Sequence, residues 1–234
     1  MPLYETHCHT RVSSICGVIS PEEVVSFYKA NGYAGVFITD HFFNGNCVVN
    51  REMPDAPYAE KVHRYCESYR QVKAAAKGEI DVFFGFEYSY GGTDVLVYGW
   101  DEDWLAEIPE IMDMPMRKFI DFANKNGAFT VQAHPFREAA YIDHIRLYTN
   151  VAGVEIYNAG RDRRSNSLAE TFAEAYGKIK MSGSDLHSAS ARPTLGGVEF
   201  DEKIRDVAHF IELCKAGKAR PVVREVREAP EAQL

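Results

Sequence analysis

Five of the eight histidines in this chain lie at the ends of short apolar runs, next to other residue types that bind metal ions. The runs are residues 3–9, 36–41, 129–134 and 182–187, and the first of them contains two histidines. A fifth run, residues 81–87, ends in a glutamate. Strand ends that face one mouth of an α/β fold are where such folds collect their reactive groups. The five runs therefore predict a site that binds several metal ions.

Two pairs of ligand-type residues are separated by a single residue, His7 from His9 and Asp185 from His187. Side chains two apart on a strand point to the same face, so each pair can bring two ligands to one cation. Glu87, at the end of its own run, can bridge two cations with its two carboxylate oxygens.

Taken singly, each of these histidines has an ordinary structural explanation as a hydrogen-bonded residue at a strand end. The set is harder to explain that way, because structural histidines should be scattered over helices and strands alike. His41 and His134 would each add one nitrogen to the site. The three remaining histidines lie in predicted helices, where solvated histidines are common: His63, His144 and His209.

Strand-like and helical segments alternate from one end of the chain to the other. Ser20, Pro21 and Glu23 form a strong helix start, in which Ser20 is the cap and Glu23 completes a capping box. The predicted helices are residues 20–32, 58–77, 113–126, 139–148, 165–176 and 201–215. The predicted strands after the first are residues 35–39, 80–86, 94–100, 128–133, 151–157 and 178–182.

This alternation predicts a single α/β domain that spans residues 1–234. About seven βα units in a row favour a distorted TIM-like (β/α)7 barrel. A doubly wound open sheet is the alternative. Residues 219–234 are rich in charge and proline and are expected to form a flexible tail.

The formal net charge of −8 argues against an extended nucleic-acid surface or an anionic membrane as a partner, although it leaves room for a local basic pocket. No apolar run approaches the roughly 20 residues that span a bilayer, and the first strand begins too close to Met1 for a signal peptide. The five cysteines include no C-x-x-C pair, which is typical of reduced thiols. The expected location is cytoplasmic.

Five motifs resemble those of the polymerase-and-histidinol-phosphatase (PHP) superfamily, in the same order. They are His7-Cys8-His9-Thr10, Ile38-Thr39-Asp40-His41, Gly85-Phe86-Glu87, Ala133-His134-Pro135 and Gly183-Ser184-Asp185-Leu186-His187. The resemblance covers residues 3–200 and implies a distorted seven-stranded barrel with a two- or three-metal phosphoesterase site. By that resemblance His7, His9, Glu87 and Asp185 would hold one cation, Glu87 and His134 a second, and His41 with His187 a third.

The chain departs from the family's pattern in two places. The stretch after the first motif lacks the Asp or His that often completes the third metal site, so Cys16 is expected to supplement it. A further histidine that often follows the third motif is missing, with Asp101 as the expected substitute and Asp94 as the other candidate. Asp40 is expected to orient a ligand, and Glu155 is either a further ligand or the partner of an arginine.

Histidine and carboxylate ligands suit two or three divalent ions of zinc, manganese or iron. Such ions lower the pKa of bound water from about 15.7 to near 7, so hydrolysis needs no serine or cysteine nucleophile. The predicted function is a metal-dependent phosphoesterase that hydrolyses a small phosphorylated metabolite or nucleotide with a metal-activated water. Arg137 and Arg192 are expected to bind the phosphate, whereas Arg161, Arg163 and Arg164 are expected to be solvated surface charges.

Two other functions stay open. An amidohydrolase-like barrel shares the two-metal chemistry but commonly uses a bridging lysine, and no predicted strand ends in lysine here. The second alternative is a non-catalytic metal-binding module. The nearly complete set of ligand-type residues argues against it, because burying imidazoles and carboxylates together without a cation costs free energy. An activity screen with and without a chelator separates these classes.

Overall fold

The computed structural model describes residues 1–189 and 193–227. The strands in these ranges are β1 (Leu3–Cys8), β2 (Gly35–Ile38), β3 (Asp81–Tyr90), β4 (Thr93–Tyr98), β5 (Phe129–Gln132), β6 (Gly153–Asn158), β7 (Ile179–Gly183), β8 (Thr194–Glu199) and β9 (Arg220–Glu225). The helices are α1 (Pro21–Ala30), α2 (Val49–Glu52), α3 (Tyr58–Tyr65), α4 (Glu67–Ala76), α5 (Glu102–Ala106), α6 (Met116–Lys125), α7 (Arg163–Ala175) and α8 (Val207–Lys215), with a 3-10 helix at Pro109–Asp113.

One sheet runs in the order β7-β6-β5-β4-β3-β2-β1-β8-β9 and curls into a nearly closed barrel. The residues after β7 bring its two sides together, because Cys8 and Leu186 form a parallel bridge. The N–H of His9 donates to the carbonyl of Leu186 at 2.9 Å, and the N–H of Leu186 donates to the carbonyl of His7 at 3.3 Å. The first and last motifs are thereby held side by side. The predicted distorted α/β barrel is confirmed.

The barrel is not a regular sevenfold repeat of βα units. β4 is antiparallel to both β3 and β5, and β8 is antiparallel to both β1 and β9. Gly91 and Gly92 make the two-residue turn between β3 and β4, with φ angles of 57° and 82° that glycine adopts without strain. This hairpin replaces a helical crossover and sets Asp94 opposite Ser89.

The predicted helix at residues 139–148 does not form, and the segment is a loop with turns. Local side-chain bonds compete with helical ones there. Asp143 accepts the N–H of His144 at 2.9 Å and pairs with Arg146 at 2.8 Å. The loop therefore has no regular structure, and its Arg146 donates to the carbonyl of Gly91 in the turn between β3 and β4.

Three other helices differ from their predicted ranges, two in where they begin and one because it is split into two helices. The last one, α8, begins only after Asp206, which caps it by accepting the N–H of His209 at 2.7 Å. Residues 58–77 form two helices, α3 and α4, that meet at Cys66. Helix α6 begins after Pro115.

Strands β8 and β9 were not predicted. Gly196 and Gly197 lower the strand propensity of β8. The expectation of a flexible C-terminal tail is wrong for Arg220–Glu225, which is β9. Pro221 fits there because β9 is an edge strand, where a missing N–H is tolerated. Residues 228–234 lie outside the described part of the chain.

Aromatic rings fill the end of the barrel where the parallel strands begin. Phe210 of α8 packs on Phe37, Tyr98 and Phe129, with ring centroids 4.5, 5.3 and 6.1 Å away. All four side chains are buried. The motif residues lie towards the opposite end, where β1, β5 and β7 finish. Within the described ranges, no helix has the length and apolar character needed to cross a bilayer.

Candidate metal centre

The seven residues predicted as metal ligands converge at the carboxyl ends of the parallel strands. With Asp94 they form four overlapping groups, and in each group the candidate ligand atoms lie within 4.8 Å of one another. The groups are His7, His9 and Glu87; His7, His134 and Asp185; Glu87, Asp94 and His134; and His9, His41 and His187. Parts of the chain that are distant in sequence thus meet as the motifs predicted.

Glu87 lies at the middle of these groups and is fully buried. Its Oε1 is 3.4 Å from Nε2 of His7 and 3.3 Å from Nε2 of His134. Its Oε2 is 3.4 Å from Nε2 of His9 and 2.6 Å from Nδ1 of His41. Neither oxygen has a hydrogen bond of acceptable geometry with a described residue. A buried carboxylate left this way is costly, and a cation between it and the imidazoles would satisfy both, so the donor set fits divalent metal.

Asp185 approaches the same space from the loop after β7. Its Oδ1 is 3.3 Å from Nε2 of His9 and 3.6 Å from Nε2 of His7, and its Oδ2 is 4.0 Å from Nε2 of His134. Asp185 and His134 have positive φ angles, 52° and 27°, which non-glycine residues rarely adopt. Backbone strain of this kind persists where the surrounding structure enforces it, and it concentrates at functional sites.

His7 and His9 point to one face as predicted, with their Nε2 atoms 3.1 Å apart. The orientation of His7 is set by Glu155, whose Oε1 accepts the Nδ1–H at 2.9 Å. The other oxygen of Glu155 accepts the N–H of His134 at 2.9 Å and an amide N–H of Asn158 at 2.8 Å. Glu155 therefore pairs with a histidine rather than an arginine, and it turns Nε2 of His7 towards the centre.

Ser14, which the sequence did not single out, links Asp40 to His9. The Ser14 hydroxyl donates to Oδ1 of Asp40 at 2.6 Å and can accept the Nδ1–H of His9 at 3.2 Å. It also accepts the N–H of His41 at 3.0 Å. Asp40 itself accepts the N–H and the hydroxyl of Thr10 at 2.7 and 2.9 Å. Asp40 thus lies behind the candidate ligands and holds the Ser14 hydroxyl that contacts His9.

We expect Ser14→Ala to weaken zinc binding about 10–100-fold, because His9 loses the group that fixes its ring. Titration against a competing chelator measures this. Ser13→Ala is the matched control, since Ser13 donates to the carbonyl of Tyr65 at 2.8 Å instead. Equal zinc affinities in the two variants would contradict the orienting role of Ser14.

Asp94, not Asp101, belongs to the centre. Asp94 is buried, and its Oδ2 lies 3.8 Å from Nε2 of His134 and 3.1 Å from the Arg137 guanidinium. Asp101 is exposed and caps α5 by accepting the N–H of Trp104 at 2.8 Å, so its prediction as a ligand is wrong. The hairpin explains the difference, because the antiparallel β4 begins at the mouth and ends away from it.

Opposing charges shift the pKa values at the centre. Burial raises the pKa of Glu87, but His41 and His7 outweigh it and hold that pKa well below its usual value. Burial likewise raises the pKa of Asp185, and His7 is the largest of the influences that hold it well below its usual value. Burial lowers the pKa of His7, yet Glu155 and Asp185 hold it well above its usual value. The carboxylates are thus ionised, with protons on imidazoles where a cation could bind instead.

Cys16 lies beside the group formed by His9, His41 and His187. The ring of His9 lies 4.4 Å from that of His41 and 4.3 Å from that of His187, measured between centroids. The Cys16 thiol hydrogen-bonds with His187 and His41. Burial raises the pKa of the thiol, but these two contacts outweigh it and lower the pKa to about 6.

Two arginines border the centre. Nη2 of Arg137 is 3.1 Å from Asp94, and Nη2 of Arg161 is 3.5 Å from Oδ2 of Asp185. Both line a cavity of about 170 Å³ beside the start of α7. The expectation that Arg161 is a solvated surface charge is therefore wrong. Arg163 and Arg164 are exposed, as expected, although Arg164 lines the same cavity, and Arg192 lies outside the described residues.

A family model described as PHP domain matches residues 5–215. A Bifidobacterium adolescentis protein assigned as a metal-dependent phosphoesterase is similar in structure, with a TM-score of 0.56 and 14% identity over 91% of this chain and 96% of that chain. PsfC from Pseudomonas syringae has a TM-score of 0.58 and 15% identity, over 98% of this chain and 93% of its own.

An amidohydrolase from Chromobacterium violaceum, solved with bound sulfate and no metal, has a TM-score of 0.55 and 15% identity. The similarity covers 97% of this chain and 99% of that one. No curated protein matches the sequence. At these identities the three structures show a shared fold.

Proposed function

The chain belongs to the PHP domain family, and we propose that it is a metal-dependent phosphoesterase that hydrolyses a small phosphorylated metabolite or nucleotide. The observation that carries the proposal is Glu87, a fully buried carboxylate that reaches four imidazoles and has no hydrogen bond with a described residue. The assignment of the B. adolescentis protein supports phosphoesters as the substrate class.

The residues at the centre would hold the metal ions in overlapping sets, with zinc, manganese or iron as the suitable elements. One set is His7, His9, Glu87 and Asp185; a second is Glu87, His134 and Asp94; a third contains His41 and His187. Divalent ions bound there would supply an activated water and neutralise charge on the phosphoryl group. Glu87 belongs to the first two sets, so its two oxygens would bridge them.

The chain's own side chains then position the substrate and the ligands. Glu155 and Ser14 fix the rings of His7 and His9, so that the ligand nitrogens face inwards. The guanidinium groups of Arg137 and Arg161 are half-buried beside the carboxylates and can donate to phosphate oxygens. Both arginines also partly balance the negative charge of the carboxylates.

We expect Arg137→Ala to raise the KM for a phosphate monoester about 10–100-fold, the usual worth of a hydrogen bond to a charged group. Steady-state kinetics with saturating metal measure KM and kcat separately. Arg163→Ala is the matched control, because Arg163 is an exposed arginine at the start of α7. An unchanged KM for Arg137→Ala, or a fall in kcat alone, would contradict phosphate binding and leave Arg137 as a partner of Asp94.

The substrate class is tested with a panel of phosphate monoesters, phosphodiesters, amides and lactones, each with zinc or manganese and with a chelator. The proposal expects metal-dependent turnover of a phosphoester. The C. violaceum amidohydrolase favours amide or lactone hydrolysis as the second candidate. Turnover of amides alone would support that candidate, and no turnover with any metal would favour a non-catalytic module.

A further inference from the structure

We propose that Glu5 is a positioning residue for the metal centre. Its buried carboxylate holds the backbone of His7 and of Ser184, and through Ser184 it fixes the start of the loop that carries Asp185. This role deepens the proposed metal-dependent hydrolysis and depends on it. Three features carry it: the hydrogen bonds of the Glu5 carboxylate, the backbone angles next to them, and the close packing of Gly183.

The Glu5 side chain is fully buried on β1, two residues before His7. The groups that donate to it are neutral, three backbone N–H groups and one hydroxyl. Oε1 accepts the N–H of Thr6 at 2.9 Å, that of His7 at 2.8 Å and that of Ser184 at 2.9 Å. Oε2 accepts the hydroxyl of Tyr28 on α1 at 2.9 Å. Both oxygens are thus satisfied by groups that fix the chain around them.

The bond to Ser184 joins two strands that are not neighbours in the sheet order. β1 lies between β2 and β8 in that order, whereas β7 is at its other end, next to β6. The Glu5 carboxylate therefore links β1 to the end of β7, close to the bridge that closes the barrel. Ser184 follows β7 directly and precedes Asp185, whose φ is 52°. The link thus fixes the backbone from which the strained Asp185 leaves the strand.

A second buried carboxylate shows the same pattern. Oε2 of Glu155 accepts the N–H of His134, whose φ is 27°, and its Oε1 accepts the Nδ1–H of His7. A buried carboxylate therefore bonds to a backbone N–H at, or directly before, each of the two candidate ligands with a positive φ angle. Both carboxylates also meet at His7, where Glu155 holds the ring and Glu5 holds the backbone.

Gly183 leaves the room that this arrangement needs. A Cβ at that position would lie 2.6 Å from Oε1 of Glu155, 2.6 Å from the Cβ of His7 and 3.3 Å from Oε1 of Glu5. The first two distances are too short for a side chain, so glycine lets these groups pack directly against the end of β7. The two carboxylates, His7 and Gly183 form one packed unit beneath the candidate ligands.

Zinc affinity of the full-length chain, measured by competition with a chelator, tests the role of Glu5 without any substrate. Glu5→Met keeps the length of the side chain and removes the acceptor, so we expect zinc binding about 10–100-fold weaker. Glu199→Met is the matched control, because Glu199 is a buried carboxylate on β8 that lies opposite Leu3 and pairs with Arg224. We expect the control to lose stability but to bind zinc as the wild type does.

Glu5→Gln separates the backbone contacts from the charge. Its amide oxygen can accept the same N–H groups, and its amide nitrogen can donate to the oxygen of Tyr28. We expect its zinc affinity to lie within about threefold of the wild type, so that this conservative change rescues what Glu5→Met loses. Equally weak zinc binding in Glu5→Gln and Glu5→Met would show that the charge of Glu5 acts, and it would overturn the positioning role.

Tyr28→Phe covers the case in which Glu5→Met does not fold, since it removes a single hydroxyl on α1. Oε2 of the buried Glu5 carboxylate then loses its donor, and the group is held less firmly. We expect zinc binding about threefold weaker, because the backbone contacts of Oε1 remain. Tyr4→Phe is the control, because Tyr4 is also fully buried and its hydroxyl contacts Asp81 and the N–H of Ile204 instead.

Wild-type zinc affinity in Glu5→Met, or in Tyr28→Phe where Glu5→Met does not fold, would overturn the role of Glu5 and leave the proposed function intact. Zinc binding without hydrolysis of any phosphoester would end the proposed function instead, while the variants still decide the role of Glu5. A folded wild type that binds no zinc would end both.

Discussion

Replacing Glu87 with glutamine should lower kcat/KM for a phosphate monoester at least about 10³-fold, the scale on which loss of one buried charge-stabilising group affects catalysis. The change keeps the shape of the side chain and removes one negative charge. The oxygens of Glu87 reach the imidazoles of His7, His9, His41 and His134, so the substitution affects all four contacts. Glu87 also belongs to both of the first two proposed sets of metal ligands.

Steady-state kinetics and bound metal per chain are the measurements for this variant. Glu60→Gln is the matched control, because Glu60 is an exposed carboxylate on α3. Circular dichroism checks that both variants retain the barrel. If Glu87→Gln kept a tenth or more of the wild-type kcat/KM with full metal content, Glu87 would not be a bridging ligand.

Removing the metal should lower the free energy of unfolding by about 4 kcal/mol relative to protein with free zinc at 1,000 times its Kd. The reason is that the ligands are brought together in the folded chain alone, so zinc binds the folded state preferentially. Denaturant unfolding with zinc and with a chelator measures the difference. Identical unfolding curves would contradict a built metal site.

The difference in free energy of unfolding between the zinc-bound and the metal-free protein should grow as the pH rises above about 6.5. The pKa values of His7 and His41 are raised well above their usual value of 6.5, so their protons stabilise the metal-free fold at lower pH. That stability is lost as the pH rises through their folded-state pKa values. Burial and the neighbouring His187 and His41 lower the pKa of His9. His9 therefore reduces the stability of the fold only below about pH 6.5, where it would be protonated in the unfolded chain.

The carboxylates do not contribute to that change. The pKa values of Glu87 and Asp185 lie well below 4.5 and 3.8, so their stabilisation is present above those values and lost only in strong acid. The lowered pKa of Cys16 adds stability as the pH rises over this range, but the raised pKa values of His7, His41 and His187 outweigh it. Thermal unfolding of the metal-free chain between about pH 6.5 and 9 should therefore show a falling Tm. A Tm that stays constant or rises over this range would contradict the charge arrangement at the centre.

The sequence predicted well which side chains come together at the barrel mouth, because each of them follows a local rule. His7 and His9 alternate on a strand, and His134 and Asp185 follow strand ends that a parallel sheet brings together. Such positions depend on the alternation of side chains along one strand and on where that strand ends, which short-range patterns reveal. The groups behind the ligands were harder to find, since Ser14 is an ordinary loop serine until Asp40 comes within 2.6 Å of it.

The wrong assignment of Asp101 has one physical cause, which is a reversal of chain direction. The prediction of Asp101 assumed that β4 continues the parallel order, but the Gly91-Gly92 turn reverses it and leaves Asp94 at the mouth. The glycine pair was the available signal, since two adjacent glycines favour a tight hairpin. Arg161 gave no comparable signal, because its approach to Asp185 depends on where the loop before α7 lies.

The central claim is that this barrel brings remote residues together to bind catalytic metal. Elemental analysis of the purified full-length chain, paired with hydrolysis of a phosphate ester before and after chelation, tests it most directly. We expect two or three ions per chain, loss of hydrolysis with the chelator, and recovery with zinc or manganese. A folded chain that binds neither metal, or that hydrolyses the ester equally well in chelator, would contradict it.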